Sequence, residues 1–287
     1  MEGRVMEINE SQTEGPRTIT ITSGKGGVGK TNLAVNLAIG FARLGKRVLL
    51  LDADLGIANV TVVLGMIPPP RYNLYHFVTG DKSLKEIVVE SPYGIKILPG
   101  TIGVSKMANL SHKQRKVLIE SLYELNSLVD LIIIDTAAGL SANTLSFALS
   151  ADEVIIITTP EPTAIAAAYG VIKIISNQNI EGSIKLVINR ASNILEGKRV
   201  ADRIVNIAGQ FLSARVERLG YIMEDSLVGQ AVQQQKPFVV SYPHSKAAEC
   251  ICHLRNRLAR IPETQPRGIA ALIKGLFLGE DFEEEWA

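Results

Sequence analysis

Short runs of apolar and β-branched residues, too uniform to have a wet face, constrain this chain more than any other feature. Ile19–Thr22, Val48–Leu51, Ile95–Leu98, Leu131–Ile134, Val154–Thr158 and Ile184–Ile188 are of this kind almost throughout. A strand exposed on one side alternates with polar residues; a strand that does not is covered on both sides. Helical patterns lie between the runs, among them Asn32–Leu44, Gln114–Leu128 and Thr163–Ser176. Such alternation predicts an α/β fold, a mostly parallel central sheet with helices on both faces. Core material suffices: of 287 residues, 46% are hydrophobic and 21% charged, which excludes disorder for most of the chain.

Charge and cysteine content exclude further classes. Lys and Arg number 30 against 29 Asp and Glu, so the chain is no bulk polyanion binder. Its 2 cysteines, Cys250 and Cys252, are one residue apart, which excludes a disulfide scaffold and predicts a reducing compartment. No apolar stretch reaches the length of a membrane span, and Met1–Arg17 lacks the apolar run of a signal peptide. A cytoplasmic protein, peripheral to membranes at most, is expected. The organisation expected is a flexible arm over 1–16, one domain over 17–261, and a linker with a short tail over 262–287.

Gly24-Lys25-Gly26-Gly27-Val28-Gly29-Lys30-Thr31 matches the eight-residue phosphate-loop pattern, between a strand and a helix. Glycines let several backbone N–H groups converge on one anion, and the helix N-terminus adds partial positive charge. Lys30 is placed to reach the β- and γ-phosphates and the Thr31 hydroxyl to bind Mg²⁺, with Gly26, Gly27, Val28, Gly29 and Asn32 completing the cradle. Lys25 is an extra cation. It is redundant within one subunit and makes sense if it reaches a nucleotide held by a second copy.

Carboxylates follow. Asp52 and Asp54 end the second apolar run, two apart and so on one face while strand geometry lasts. One can orient the attacking water and the other hold Mg²⁺ through water. Asp135 ends Leu131–Ile134 in the Walker B manner, and a carboxylate buried there without a cation is expensive. Gly139, after Thr136-Ala137-Ala138, can donate its N–H to the γ-phosphate and so sense hydrolysis. Asn189, followed by Arg190, offers an amide able to pair with adenine N6 and N7, favouring ATP over GTP. Asp225 is a second candidate for the base pocket, or simply a helix start.

Lys25–Thr31, Val48–Gly56, Ile134–Gly139 and Thr159-Pro160-Glu161-Pro162 together resemble the deviant Walker A ATPases of the MinD/ParA family, over roughly 17–260. Asp54–Val60, Ile97–Gly100, Gln235–Phe238 and Tyr242–Lys246 resemble its flagellar-number subgroup (FlhG, FleN, YlxH). The resemblance implies a SIMIBI-type P-loop fold and slow, Mg²⁺-dependent ATP hydrolysis by a homodimer formed with ATP. It implies Asp54 as the water-positioning residue, Asp52 on the metal side, adenine recognition at Asn189, and Glu161 reaching the partner's ribose. Partners so implied are the FlhF GTPase, a flagellar switch-complex protein or a flagellar transcription regulator. Two departures stand out. Related chains carry an Asp shortly after Glu161, where this one reads Ala166-Ala167-Ala168, and Met1–Arg17 lacks the Asp-Gln-Ala-x-x-Leu-Arg segment common in the subgroup.

In the tail, Ile269, Leu272, Ile273, Leu276 and Phe277 share one helical face ahead of an acidic end. Ile269–Phe277 is too short to span a bilayer but suits its interface, and the resemblance implies membrane binding on ATP-driven dimerisation; the alternative is a helix docked on its own core or on a partner, since the acidic end is repelled by anionic lipid. The competing expectation is a ParA-type segregation ATPase binding DNA through Arg255, Arg257 and Arg260, or through Lys198, Arg199 and Arg203.

Overall fold

The computed structural model describes residues 15–259 apart from 102, 105, 106, 108, 109, 179–182 and 213. The tail with Ile269–Phe277, and the arm up to residue 14, lie outside the described residues. The strands are β1 (Arg17–Ser23), β2 (Val48–Ala53), β3 (Val89–Glu90), β4 (Lys96–Leu98), β5 (Leu131–Ala138), β6 (Glu153–Thr158), β7 (Ser183–Ala191) and β8 (Val216–Met223). They form one eight-stranded sheet in the order β3-β4-β2-β5-β1-β6-β7-β8. All described pairs are parallel except β3 with β4. The expected α/β architecture is therefore the one observed.

Successive residues of the inner strands feed opposite cores, as the period of a strand requires. Leu50 and Ile133 join the helices Lys30–Ala42 and Lys246–Ala259 on one face. Leu49, Leu51, Ile132 and Ile134 turn to the other, against the helix His112–Ser121. Across the sheet, Val154, Ile156 and Leu186 pack beneath the helices Pro162–Asn177 and Ile194–Leu212. Among the described residues no helix is long and apolar enough to cross a membrane.

Two strands do not read as apolar runs. β3 is a two-residue edge. β8 is the opposite edge, buried at only three of its eight positions, because an edge strand keeps one side in water. Its Glu217 accepts a 2.6 Å hydrogen bond from Lys185, which lies 2% exposed near the start of β7. The pattern expected over Gln114–Leu128 divides: the helix starts at His112 behind a Ser111–Gln114 capping box and gives way to a 3₁₀ turn over Leu122–Leu125.

Candidate nucleotide site

The sheet order sets the site. β5 lies between β1, which runs into the glycine-rich loop, and β2, which ends at the Asp52–Asp54 carboxylates. Asp135 pairs in register with Asp52 on one side and Ile21 on the other. Three distant segments thus converge at the carboxyl ends of adjacent parallel strands, where open α/β sheets bind ligands.

The loop Gly24–Gly29 turns from β1 into the helix that opens at Lys30. Gly29 has φ 102°, and a Cβ there would lie 2.4 Å from the Asn189 amide nitrogen. Only glycine serves, for its backbone conformation and for room. At Gly24 a Cβ would lie 2.3 Å from the Ala167 carbonyl oxygen. The loop thus rests on the backbone of the helix Pro162–Asn177 at the triple alanine where the family pattern departs.

Lys30 is buried and donates to the Ser23 hydroxyl at 3.0 Å. Burial pulls its pKa below the usual lysine range, against the attraction of Asp135 and Asp54. Ser23 donates onward to the Lys25 carbonyl at 2.8 Å, and its own carbonyl accepts the Gly139 N–H at 2.8 Å. Ser23 was not marked by the sequence pattern; its place immediately before the loop is the signal that could have found it.

Asp135 is buried, and neither carboxylate oxygen accepts a well-formed hydrogen bond. Burial raises its pKa to about 7, opposed by the Thr31 hydroxyl and the Lys30 ammonium. Asp52 is buried too and is pushed well above the usual carboxylate range, by burial first and by Asp135 second. Its oxygens accept from the Val60 N–H at 3.0 Å and the Asp54 N–H at 3.3 Å. Asp54 is half-buried and accepts from the Ile57 N–H at 3.3 Å.

Lys25 and Glu161, both expected to reach across a dimer, are joined here within one chain. Lys25 donates to Glu161 at 2.6 Å and to the Thr163 hydroxyl at 3.0 Å. The ammonium holds the Glu161 carboxyl below its usual range.

Beside the loop lies a cavity of about 200 Å³, lined by Gly29, Asn32, Asn189, Arg190 and Asp225 together with Leu33, Val228 and Phe238. Asn189 donates to the Val28 carbonyl at 2.7 Å and accepts from the Arg190 N–H at 2.9 Å. Asp225 caps the helix Ser226–Gln233, accepting from Leu227 N–H at 3.0 Å, and also accepts from Ala247 N–H at 3.2 Å. The apolar lining was missed in the sequence, because Val228 and Phe238 come from elements far along the chain. Cys250 and Cys252 are free, in the helix Lys246–Ala259.

A protein-family model described as an AAA domain matches residues 16–188. The antiactivator FleN of Pseudomonas aeruginosa is 35% identical over 88% of this chain and 90% of its own length. The flagellum site-determining protein YlxH of Helicobacter pylori is 33% identical over 86% of this chain and 83% of its own. This chain belongs to the MinD/ParA family of ATPases. The septum site-determining protein MinD of Pyrococcus horikoshii, complexed with Mg-ADP, superimposes with a TM-score of 0.73 at 26% identity, covering 86% of this chain and 97% of that one. The family hydrolyses ATP and binds it with Mg²⁺.

The residues present suit that ion. A buried carboxylate with unsatisfied oxygens beside a threonine hydroxyl is an oxygen donor set short of a cation. With its pKa raised to about 7, Asp135 would have to give up a proton before its carboxylate could serve a cation. The affinity for MgATP is therefore expected to rise with pH until about 7 and level off above it. In the nucleotide-free protein the sign reverses. The native carboxyl holds its proton where the unfolded chain has lost it, so its contribution to stability is full at low pH and declines as pH rises toward about 7. Calorimetry in two buffers of different ionisation enthalpy reads the released proton. An affinity flat across this range, with no proton released, would count against Asp135 as the group facing the ion.

Proposed function

We propose that this chain is an ATP-driven switch that pairs with a second copy around MgATP and thereby controls flagellar number or placement. One observation carries the reading: the unsatisfied buried carboxylate of Asp135 sits beside the P-loop lysine and Thr31. Mg²⁺ supplies charge neutralisation on the phosphates. Thr31 and Asp135 would hold it when bound; Asp52 would stand on the metal side, and it fixes the start of the Asp54 loop. Lys30, with the backbone of Gly26–Gly29 and Asn32, binds the β- and γ-phosphates. Asp54 orients the attacking water. Asn189, Arg190 and Asp225 border the base pocket.

The subunit in isolation holds its dimer-facing groups in reserve. For Lys25 to reach a partner's nucleotide and Glu161 a partner's ribose, their mutual ion pair must open; for Gly139 to meet a γ-phosphate, its N–H must leave the Ser23 carbonyl. ATP then favours the dimer by offering each group a better partner. Output passes to a flagellar partner: the FlhF GTPase, a switch-complex protein or a transcription regulator; that the relatives are named an antiactivator and a flagellum site-determining protein supports this direction.

Membrane contact through Ile269–Phe277 belongs to the same reading, since two weak helices in one dimer gain avidity. Full-length protein is expected to pellet with anionic liposomes in ATP and much less in ADP, and protein ending at residue 262 in neither. Equal pelleting of both forms with ATP would remove the tail from the scheme. DNA binding is the weaker reading. Arg255, central to the most compact basic cluster, is part-buried and engaged with the Asn256 side chain at 2.8 Å and the Gly40 carbonyl at 3.5 Å.

A further inference from the structure

The loop carrying Asp54 is gripped from a different strand. After β4 the chain runs through Pro99 and Gly100 to Thr101, which is 1% exposed. The Thr101 hydroxyl donates to the Leu55 carbonyl at 3.0 Å, and the Thr101 carbonyl accepts the Ala58 N–H at 3.1 Å. One residue therefore holds the Asp54 loop on both sides of its turn. Gly103 N–H adds a third tie, to the Gly56 carbonyl at 3.2 Å. Gly100 lets the two loops approach this closely: a Cβ there would lie 2.8 Å from the Asp52 carbonyl oxygen and 2.9 Å from the Ala58 Cβ.

Asp54 itself is weakly held. Its own bonds are the 3.3 Å contacts with Asp52 and Ile57, long for hydrogen bonds. Leu55, its immediate neighbour, accepts at its backbone carbonyl a buried side-chain bond from the loop that follows β4. A carboxylate that orients water must be fixed to within a fraction of an ångström, and a loop with weak internal bonds cannot do this alone.

We infer that Thr101, seated by Gly100, is a positioning residue for hydrolysis: it fixes Asp54 against the γ-phosphate by clamping Leu55 and Ala58. This rests on the water-orienting reading of Asp54. The described hydrogen bonds of Thr101 go to Leu55 and Ala58 and to none of the residues assigned to phosphate or metal, so its loss is expected to act on turnover and to spare ATP binding.

The test measures steady-state ATP hydrolysis and MgATP affinity by calorimetry on the full chain, for Thr101→Val, Thr101→Ser, Asp54→Ala and the Thr101→Val/Asp54→Ala double variant. Thr101→Val keeps the shape and loses the hydroxyl. It is expected to lower kcat about tenfold or more, with ATP affinity within about twofold of the parent. Thr101→Ser, which keeps the hydroxyl, restores most of the rate. Thr101→Val adds nothing in the Asp54→Ala background, because residues acting as a unit are not additive. Parent-like turnover by Thr101→Val, equal losses of affinity and rate, or additive losses would each overturn the clamp while leaving Asp54 in place. Parent-like turnover by Asp54→Ala would overturn the role of Asp54 and the clamp with it. Thr101→Ala carries the same readings should the valine variant not accumulate as folded protein.

Discussion

Lys30→Ala is expected to lower MgATP affinity by about two to three orders of magnitude while the protein stays folded. The two halves of this expectation have separate causes. Lys30 is already desolvated, so the cost of burying its charge is met in the free protein, and a triphosphate meets an ammonium with little water left to shed. Removing it leaves phosphate oxygens without their buried counter-charge. Without nucleotide, its described partner is one hydroxyl, Ser23 at 3.0 Å, a modest bond to lose. Calorimetry and a melting curve check both halves. Binding heat unchanged from the parent would mean the triphosphate is held elsewhere, and the nucleotide site described above would be wrong.

Asp54→Ala is expected to slow hydrolysis by about 10²–10³-fold with ATP binding retained, so that ATP-loaded dimers persist. Asp54 lies at the rim of a crowd of carboxyls and raises the pKa of both Asp52 and Asp135. Taking it away relieves repulsion where phosphates and Mg²⁺ must sit, so affinity holds or improves. It surrenders one 3.3 Å bond from Ile57, which costs the fold little. Size-exclusion light scattering with ATP reads the trapped dimer directly. A monomer by that measurement, with ATP shown to be bound, would separate nucleotide binding from pairing and end the switch reading.

The glycine-rich loop between β1 and its helix was legible because its information is local. Eight consecutive residues, with an apolar strand before and a helix after, specify the anion site without any distant contact. The central strands were legible for a related reason, since burial on both faces writes an uninterrupted apolar run. Where a strand has only one dry face the signal fades, and β8, with Glu217 and Arg218 both exposed, was lost in this way. Asp225 shows a residue with two legible roles at once. The sequence allowed a base-pocket residue or a helix cap, and the structure has it capping Ser226–Gln233 while lining the cavity.

Other facts depend on proximity between residues far apart in the chain. Lys185 reads as a flaw in an apolar strand until Glu217 is found beside it on β8. Lys25 and Glu161 were expected to face a partner, yet in the single subunit each neutralises the other across 136 residues. Thr101 carried no motif at all. The chain's own order of residues determined a P-loop ATPase fold, its candidate phosphate loop and its set of candidate carboxylates, because strand period, glycine conformation and helix start are properties of neighbours in sequence. The tertiary structure alone decided that β5 lies between β1 and β2, so that Asp135 sits between the P-loop strand and Asp52. It also decided that Lys25 pairs with Glu161 and that Thr101 bonds the loop after Asp54, because strand order and side-chain pairing are set by packing the whole core at once.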